Sequence, residues 1–273
     1  MKANAQYQFI FIFLISVFST NAFSTLVLTA PPRETAEKGK QVYEPIAKMM
    51  SEALGEEVVY RHPDGWLEYS SHMRSGKYDI VFDGPHFAAW RIKHLKHTPV
   101  ARLPGGLDFV VVAKSNNKAM TGKNGILKGS ICGLASPNLA TVSILAKYQD
   151  AITVPKIVEI KGGFKKVFEA YKNGQCDAAL LRTSFWKNLP QAARQDSRII
   201  HATESLPNQT VTVSPRVDVT KRGKLTSLLQ AKNNKSTDPL LERFSKKAKY
   251  FIRPSTSEYN DLEKLLEGVV FGW

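Results

Sequence analysis

Six short stretches gather the residue types that hold a small anion. They are PPRE (31–34), RHPDGW (61–66), DGPH (83–86), SPNLAT (136–141), KGGF (161–164) and LRTS (181–184). Glycine and proline turns let backbone N–H groups approach a ligand, and arginine presents a planar fork of donors to an oxyanion. Arg33 and Arg182 are the candidate cations. Pro137 precedes a helix predicted to begin at Leu139, and a helix start offers unpaired N–H groups and the positive end of a dipole. That start, with the Thr141 hydroxyl, is the expected main anchor. Each residue also has an ordinary reading. The arginines could be solvated, His86 could simply open a helix, and Trp66 could be a core aromatic. Thr141 could bond only to its own backbone.

Templates for catalysis are missing. The chain has no Gly-x-Ser-x-Gly elbow, Walker loop, His-Glu-x-x-His or Gly-x-Gly-x-x-Gly. Five of the six histidines (His62, His72, His86, His94 and His97) fall on different predicted elements, without the usual ligand spacing. The expectation is a binding protein, not an enzyme, with no cofactor and no metal.

The elements that must position these loops alternate. Strands are predicted at 25–30, 57–60 and 78–82, with helices at 35–54 and 66–74 between them. A second round places strands at 130–135, 156–160 and 177–181 and helices at 139–148 and 164–173. GKYDIVFDGPH (76–86) and GQCDAALLRTS (174–184) are the same helix-to-strand junction written twice. Gly76 and Gly174 end helices. Asp79 and Asp177 stand at strand starts, away from any ligand, and read as structural. Such alternation predicts an α/β fold of two doubly wound parallel-sheet lobes with helices on both faces. Two crossover strands, 108–114 and 209–217, join them. Ligands sit beyond the carboxyl ends of such strands, so the cleft lies between the lobes. The expected division is 25–112 with 213–273 as lobe one, and 113–212 as lobe two. Tail helices at 238–246 and 255–266 should pack on lobe one.

Residues 1–24 read as a secretory signal: Lys2, an apolar core from Phe9 to Phe18, and small residues before a cut after Ser24. Ten apolar residues are too few to span a bilayer. The formal charge is +14 at pH 7, which favours anionic partners. Nucleic acid is not expected, because the lysines are dispersed and no aromatic-basic motif occurs. Export permits a disulfide between Cys132 and Cys176, which lie near the starts of strands that should be neighbours. Two separate buried thiols are the alternative.

At these loops the chain resembles the phosphate/phosphite/phosphonate-type periplasmic substrate-binding proteins of ABC transporters. The matching stretches are MMSEALGEEV, GKYDIVFDGP, SPNLAT, GGFKKVFEAYKNGQCDAAL and RTSFW. The resemblance implies a two-lobed periplasmic receptor, expected to be a monomer, that closes over a small oxyanion and delivers it to an inner-membrane ABC permease. The same fold also serves as the sensing module of signalling receptors. Carried over position by position, the resemblance places Trp66, Asp83, His86, Asn138, Thr141 and Thr183 around the ligand. It departs from the family where Leu139-Ala140 replace a Ser/Thr-rich turn. Ser184 and Gln209 stand where members that take amino-phosphonates carry acids, which counts against an amine-bearing ligand.

Overall fold

The computed structural model describes residues 25–245 and 248–269; the expected signal segment and its cut after Ser24 lie outside the described residues. The first round of elements is β1 (Leu26–Thr29), α1 (Ala36–Leu54), β2 (Val58–Tyr60), α2 (Trp66–Arg74) and β3 (Ile80–Asp83). It continues through α3 (Pro85–Leu95), β4 (Thr98–Arg102) and the short β5 (Gly106–Leu107). The second begins with β6 (Phe109–Lys114), α4 (Gly122–Lys128), β7 (Ser130–Gly133), α5 (Leu139–Tyr148), β8 (Lys156–Glu159), α6 (Phe164–Lys172) and β9 (Ala178–Arg182). Then come α7 (Thr183–Asn188), α8 (Gln191–Arg194), β10 (Ser197–Ala202), β11 (Leu206–Pro207) and β12 (Thr210–Val213). The chain closes with α9 (Val219–Gln230), α10 (Asp238–Phe244) and 3-10 turns at Thr256–Tyr259 and Leu262–Leu266.

Two five-stranded sheets result, ordered β2-β1-β3-β12-β4 and β10-β6-β9-β7-β8. Each contains a parallel trio in which the first strand lies between the second and third. Beside each third strand runs an antiparallel one, β12 against β3 and β6 against β9. Each sheet of the expected α/β fold is therefore a parallel trio extended by antiparallel strands. The strands read as crossovers are the cause. β6 belongs wholly to the second sheet and β12 wholly to the first. The chain passes between sheets in the segments 103–108 and 203–209, where β5 and β11 pair as a two-stranded ribbon.

The duplicated junction performs one task in both halves. Gly76 and Gly174 take positive φ (68° and 77°), the left-handed region that glycine enters without steric cost. The following residue then bonds back into the helix, Lys77 N–H to the His72 carbonyl and Gln175 N–H to that of Ala170. Three residues after each glycine an aspartate grips the neighbouring first strand. Asp79 accepts Val27 N–H at 2.9 Å, and Asp177 accepts Ser130 N–H at 2.8 Å. The two aspartates are structural, as expected.

Cys132 on β7 and Cys176 before β9 form a disulfide with a Cα–Cα distance of 5.6 Å. Parallel pairing of β7 with β9 brings them together. One apolar cluster fills the first lobe around Leu28, Ile46, Met50 and Phe82. Another packs α6 and α7 on the second sheet, with Val112, Phe168, Tyr171 and Trp186. A third spans both lobes, joining Tyr69, Val81 and Phe87 to Phe109, Ile131, Leu139 and Leu180. Leu266 belongs to it too, and the turn at Leu262–Leu266 touches α5 as well as α3. The tail therefore packs on both lobes, where lobe one alone was expected.

Candidate functional site

The carboxyl ends of both parallel trios face one cavity of about 190 Å³. All six loops singled out in the sequence contribute to it, through Arg33, Trp66, Gly84, Asn138, Phe164 and Arg182 among others. The passage between lobes adds Leu107, Phe109 and Gln209. Among the described residues no carboxylate lines it, and two arginines do.

Arg33 follows β1. Its Nη1 is buried without a hydrogen-bond partner, an arrangement that costs free energy until an acceptor arrives. The guanidinium also lies 5.8 Å from the ring centre of Phe244, which holds it from behind. Across the cavity, Arg182 ends β9, where burial lowers its pKa against the pull of Asp108. Asn138 caps α5 by accepting Ala140 N–H at 3.0 Å, and its carbonyl accepts Val142 N–H. The remaining first-turn N–H groups have no intrahelical acceptor to reach. Two arginines and a helix start thus surround one small space.

His86, on the first turn of α3, is 2 % exposed. Its Nε2 lies 3.1 Å from the Pro137 carbonyl, a direct link from lobe one to lobe two across the cavity. Gly84 leaves room for that ring. A Cβ there would lie 2.7 Å from His86 Cε1 and 2.9 Å from Nδ1. Trp66 is half-buried and stacks on Phe87 at a 21° interplanar angle, forming an aromatic wall.

Asp83, Thr141 and Thr183 are not among the described residues that line the cavity. Asp83 is fully buried, and Arg91 holds both its oxygens at 2.7 Å each. Tyr69 donates its hydroxyl to the same carboxylate. Burial, then the Asp83 charge, pushes the Tyr69 pKa well above its usual value, so the phenol remains a donor. Burial works against the Arg91 charge, but Asp83 outweighs it and raises its pKa. With three donors on its two oxygens, Asp83 clamps α2 and α3 to β3. Thr141 is 2 % exposed and donates its hydroxyl to the Leu134 carbonyl. It ties the loop after β7 to α5 and does not line the cavity. Thr183 is buried, with its N–H on the Asp108 carbonyl, and is not among the lining residues. Gln209 lines the cavity, whereas Ser184 is exposed outside it. Leu107 and Phe109 were missed because the pairings that place them, β5 with β11 and β6 with β9, are long-range and leave no local sequence signal.

The family model described as "ABC transporter, phosphonate, periplasmic substrate-binding protein" matches residues 28–259. No curated protein matches the chain. Among solved structures, PhnD1 from Prochlorococcus marinus, in complex with methylphosphonate, is similar at 16% identity and a TM-score of 0.62. The match covers 89% of this chain and 97% of that one. A protein from Xanthomonas citri solved bound to ATP is similar at 17% identity and a TM-score of 0.65, over 89% and 95% of the two chains. A binding-protein component of an ABC phosphonate transporter from Pseudomonas aeruginosa shares 15% identity with a TM-score of 0.59, over 88% and 85%. At these identities the likeness is one of fold. The family match spans both lobes and every cavity-lining loop. The chain belongs to the periplasmic substrate-binding proteins of phosphonate ABC transporters, a family of transport receptors rather than enzymes.

Proposed function

We propose that this protein captures a small phosphorus oxyanion, of the phosphonate, phosphite or phosphate class, and delivers it to an inner-membrane ABC permease. The observation that carries the reading is that Arg33, whose Nη1 is buried without a partner, lines one cavity together with Arg182 and the start of α5, with no carboxylate among the described lining residues. A guanidinium nitrogen left without an acceptor beside such a cavity is a site prepared for an anion. The ligand is held by Arg33, Arg182 and the α5 N–H groups, with Trp66, His86 and Asn138 shaping its surroundings. Asp83, Thr141 and Thr183 support the walls. Segment 1–24 directs export and is removed after Ser24, and the mature protein works as a monomer. Among the described residues no helix is long and apolar enough to cross a membrane.

A thermal-shift panel of phosphate, phosphite, methylphosphonate and sulfate on the mature chain tests this. A ligand at 100 times its Kd adds about 2.7 kcal/mol to stability. A clear rise with at least one phosphorus oxyanion is expected. No rise with any of them contradicts the reading.

A further inference from the structure

His86 is not simply one more polar wall. The Pro137 carbonyl can only accept, so Nε2 at 3.1 Å must carry the hydrogen of that bond. Burial drives the imidazole pKa down to about 4, so the ring is neutral at ordinary pH. A neutral ring with hydrogen on Nε2 has a bare lone pair on Nδ1. That nitrogen is buried and has no partner in the protein. It lies against Gly84, on the side a Cβ would take, and Arg33 Nη2 is 3.8 Å from that same position. Two neighbouring residues of the cavity lining thus each carry an unpaired polar atom, the donor Nη1 of Arg33 and the acceptor Nδ1 of His86. Gln209, which also lines the cavity, has a buried amide oxygen without a partner. An amide can turn over, so His86 is the firmer of the two acceptors.

A fully ionised phosphorus oxyanion offers only lone pairs. Beside Arg33 it is welcome; beside His86 Nδ1 it meets another lone pair in a desolvated space. A singly protonated anion offers both kinds of group, ionised oxygens for the arginines and one P–OH for the ring. We propose that His86 Nδ1 accepts the P–OH proton of the bound anion, so that the site selects the monoprotonated form and rejects tetrahedral anions that carry no proton. This rests on the phosphorus-oxyanion reading above. No bond breaks; the proton stays on the ligand and is shared in a hydrogen bond.

The charged and titratable groups around the ring are Arg33 after β1, Asp83 at the end of β3, Arg91 on α3, Tyr69 on α2 and Arg182 across the cavity. Asp83, Arg91 and Tyr69 satisfy one another, and arginine stays protonated throughout. Between pH 6 and 9 the titrating partner is therefore the ligand.

Calorimetric titration of the mature protein with methylphosphonate from about pH 6 to 9 tests the idea. Above the ligand's second ionisation, affinity should fall about tenfold per pH unit, following the monoanion. Methanesulfonate, of similar shape but proton-free, should bind at least about tenfold more weakly at pH 6, the loss of one charged hydrogen bond. A His86→Phe variant that folds should lose that pH slope, because the lone pair is gone. Flat affinity across the ligand's ionisation, or equal binding of the sulfonate, overturns the proton selection and leaves the receptor reading standing. Failure of methylphosphonate, phosphite and phosphate to bind at any pH overturns both.

Discussion

Thr141 stands where a ligand-binding hydroxyl was expected, on the first turn of α5, yet its proton goes to the Leu134 carbonyl. The Thr141→Val substitution keeps the shape and leaves that carbonyl without its donor. It should cost about 1 kcal/mol of stability, with a range of roughly twofold, and leave the affinity of the folded protein unchanged. Urea unfolding paired with calorimetry checks both halves. That Arg33, Trp66, His86, Asn138 and Arg182 share one cavity was legible because each lies near the carboxyl end of a strand, where the fold class alone places ligands. Asp83 occupies the same kind of loop, but Arg91 and Tyr69 reach it first. Nothing local in the sequence distinguishes a carboxylate aimed at a ligand from one already claimed by its neighbours. The distinction depends on which face of α3 turns toward β3, and that is settled by packing.

At the scale of elements, the repeated Gly-x-x-Asp junction was visible from spacing, and its task follows from the pairing of third strand with first. The two copies differ in depth. Asp79 is wholly buried and accepts from Val27 N–H and from the Ser214 hydroxyl at 3.0 Å. Asp177 grips Ser130 at an exposed position, through both its N–H and its hydroxyl. Asp79→Ala strands a buried donor that water cannot reach and should cost about 2–3 kcal/mol. Asp177→Ala opens its site to solvent and should cost under about 1 kcal/mol. Denaturant midpoints of the two variants give the comparison, and equal costs would contradict the assignment of depth. The antiparallel strands β6 and β12 were recognised as β-rich, but their sheet was not. Each pairs with strands distant in sequence, and a run such as FVVVAK reads the same whether it links two sheets or completes one.

For the whole molecule, two buried histidines set the acid limit. His86 and His97 are 2 % and 4 % exposed, and burial brings their pKa values down to about 4 and about 3. Arg91 adds to the lowering at His97. In the unfolded chain both titrate near about 6.5. Between those values unfolding takes up protons, so stability is full above about pH 6.5 and falls as the pH drops. The expected slope is about 1.4 kcal/mol per pH unit for each ring, measurable by chemical denaturation at pH 5 and 6.5. A flat profile there would contradict the buried, neutral state of the rings. The lobes are joined by the two passages at 103–108 and 203–209, by the tail at Leu262–Leu266, and by the His86–Pro137 contact over the ligand cavity. That arrangement makes the cavity the place where binding and lobe contact coincide, and Arg33 its unpaired charge. Titration calorimetry of methylphosphonate into the mature protein and its Arg33→Ala variant tests this most directly. The account predicts one site per chain, with affinity reduced about tenfold to a hundredfold in the variant, as expected for losing a charge-assisted hydrogen bond. Unchanged affinity in Arg33→Ala would contradict it.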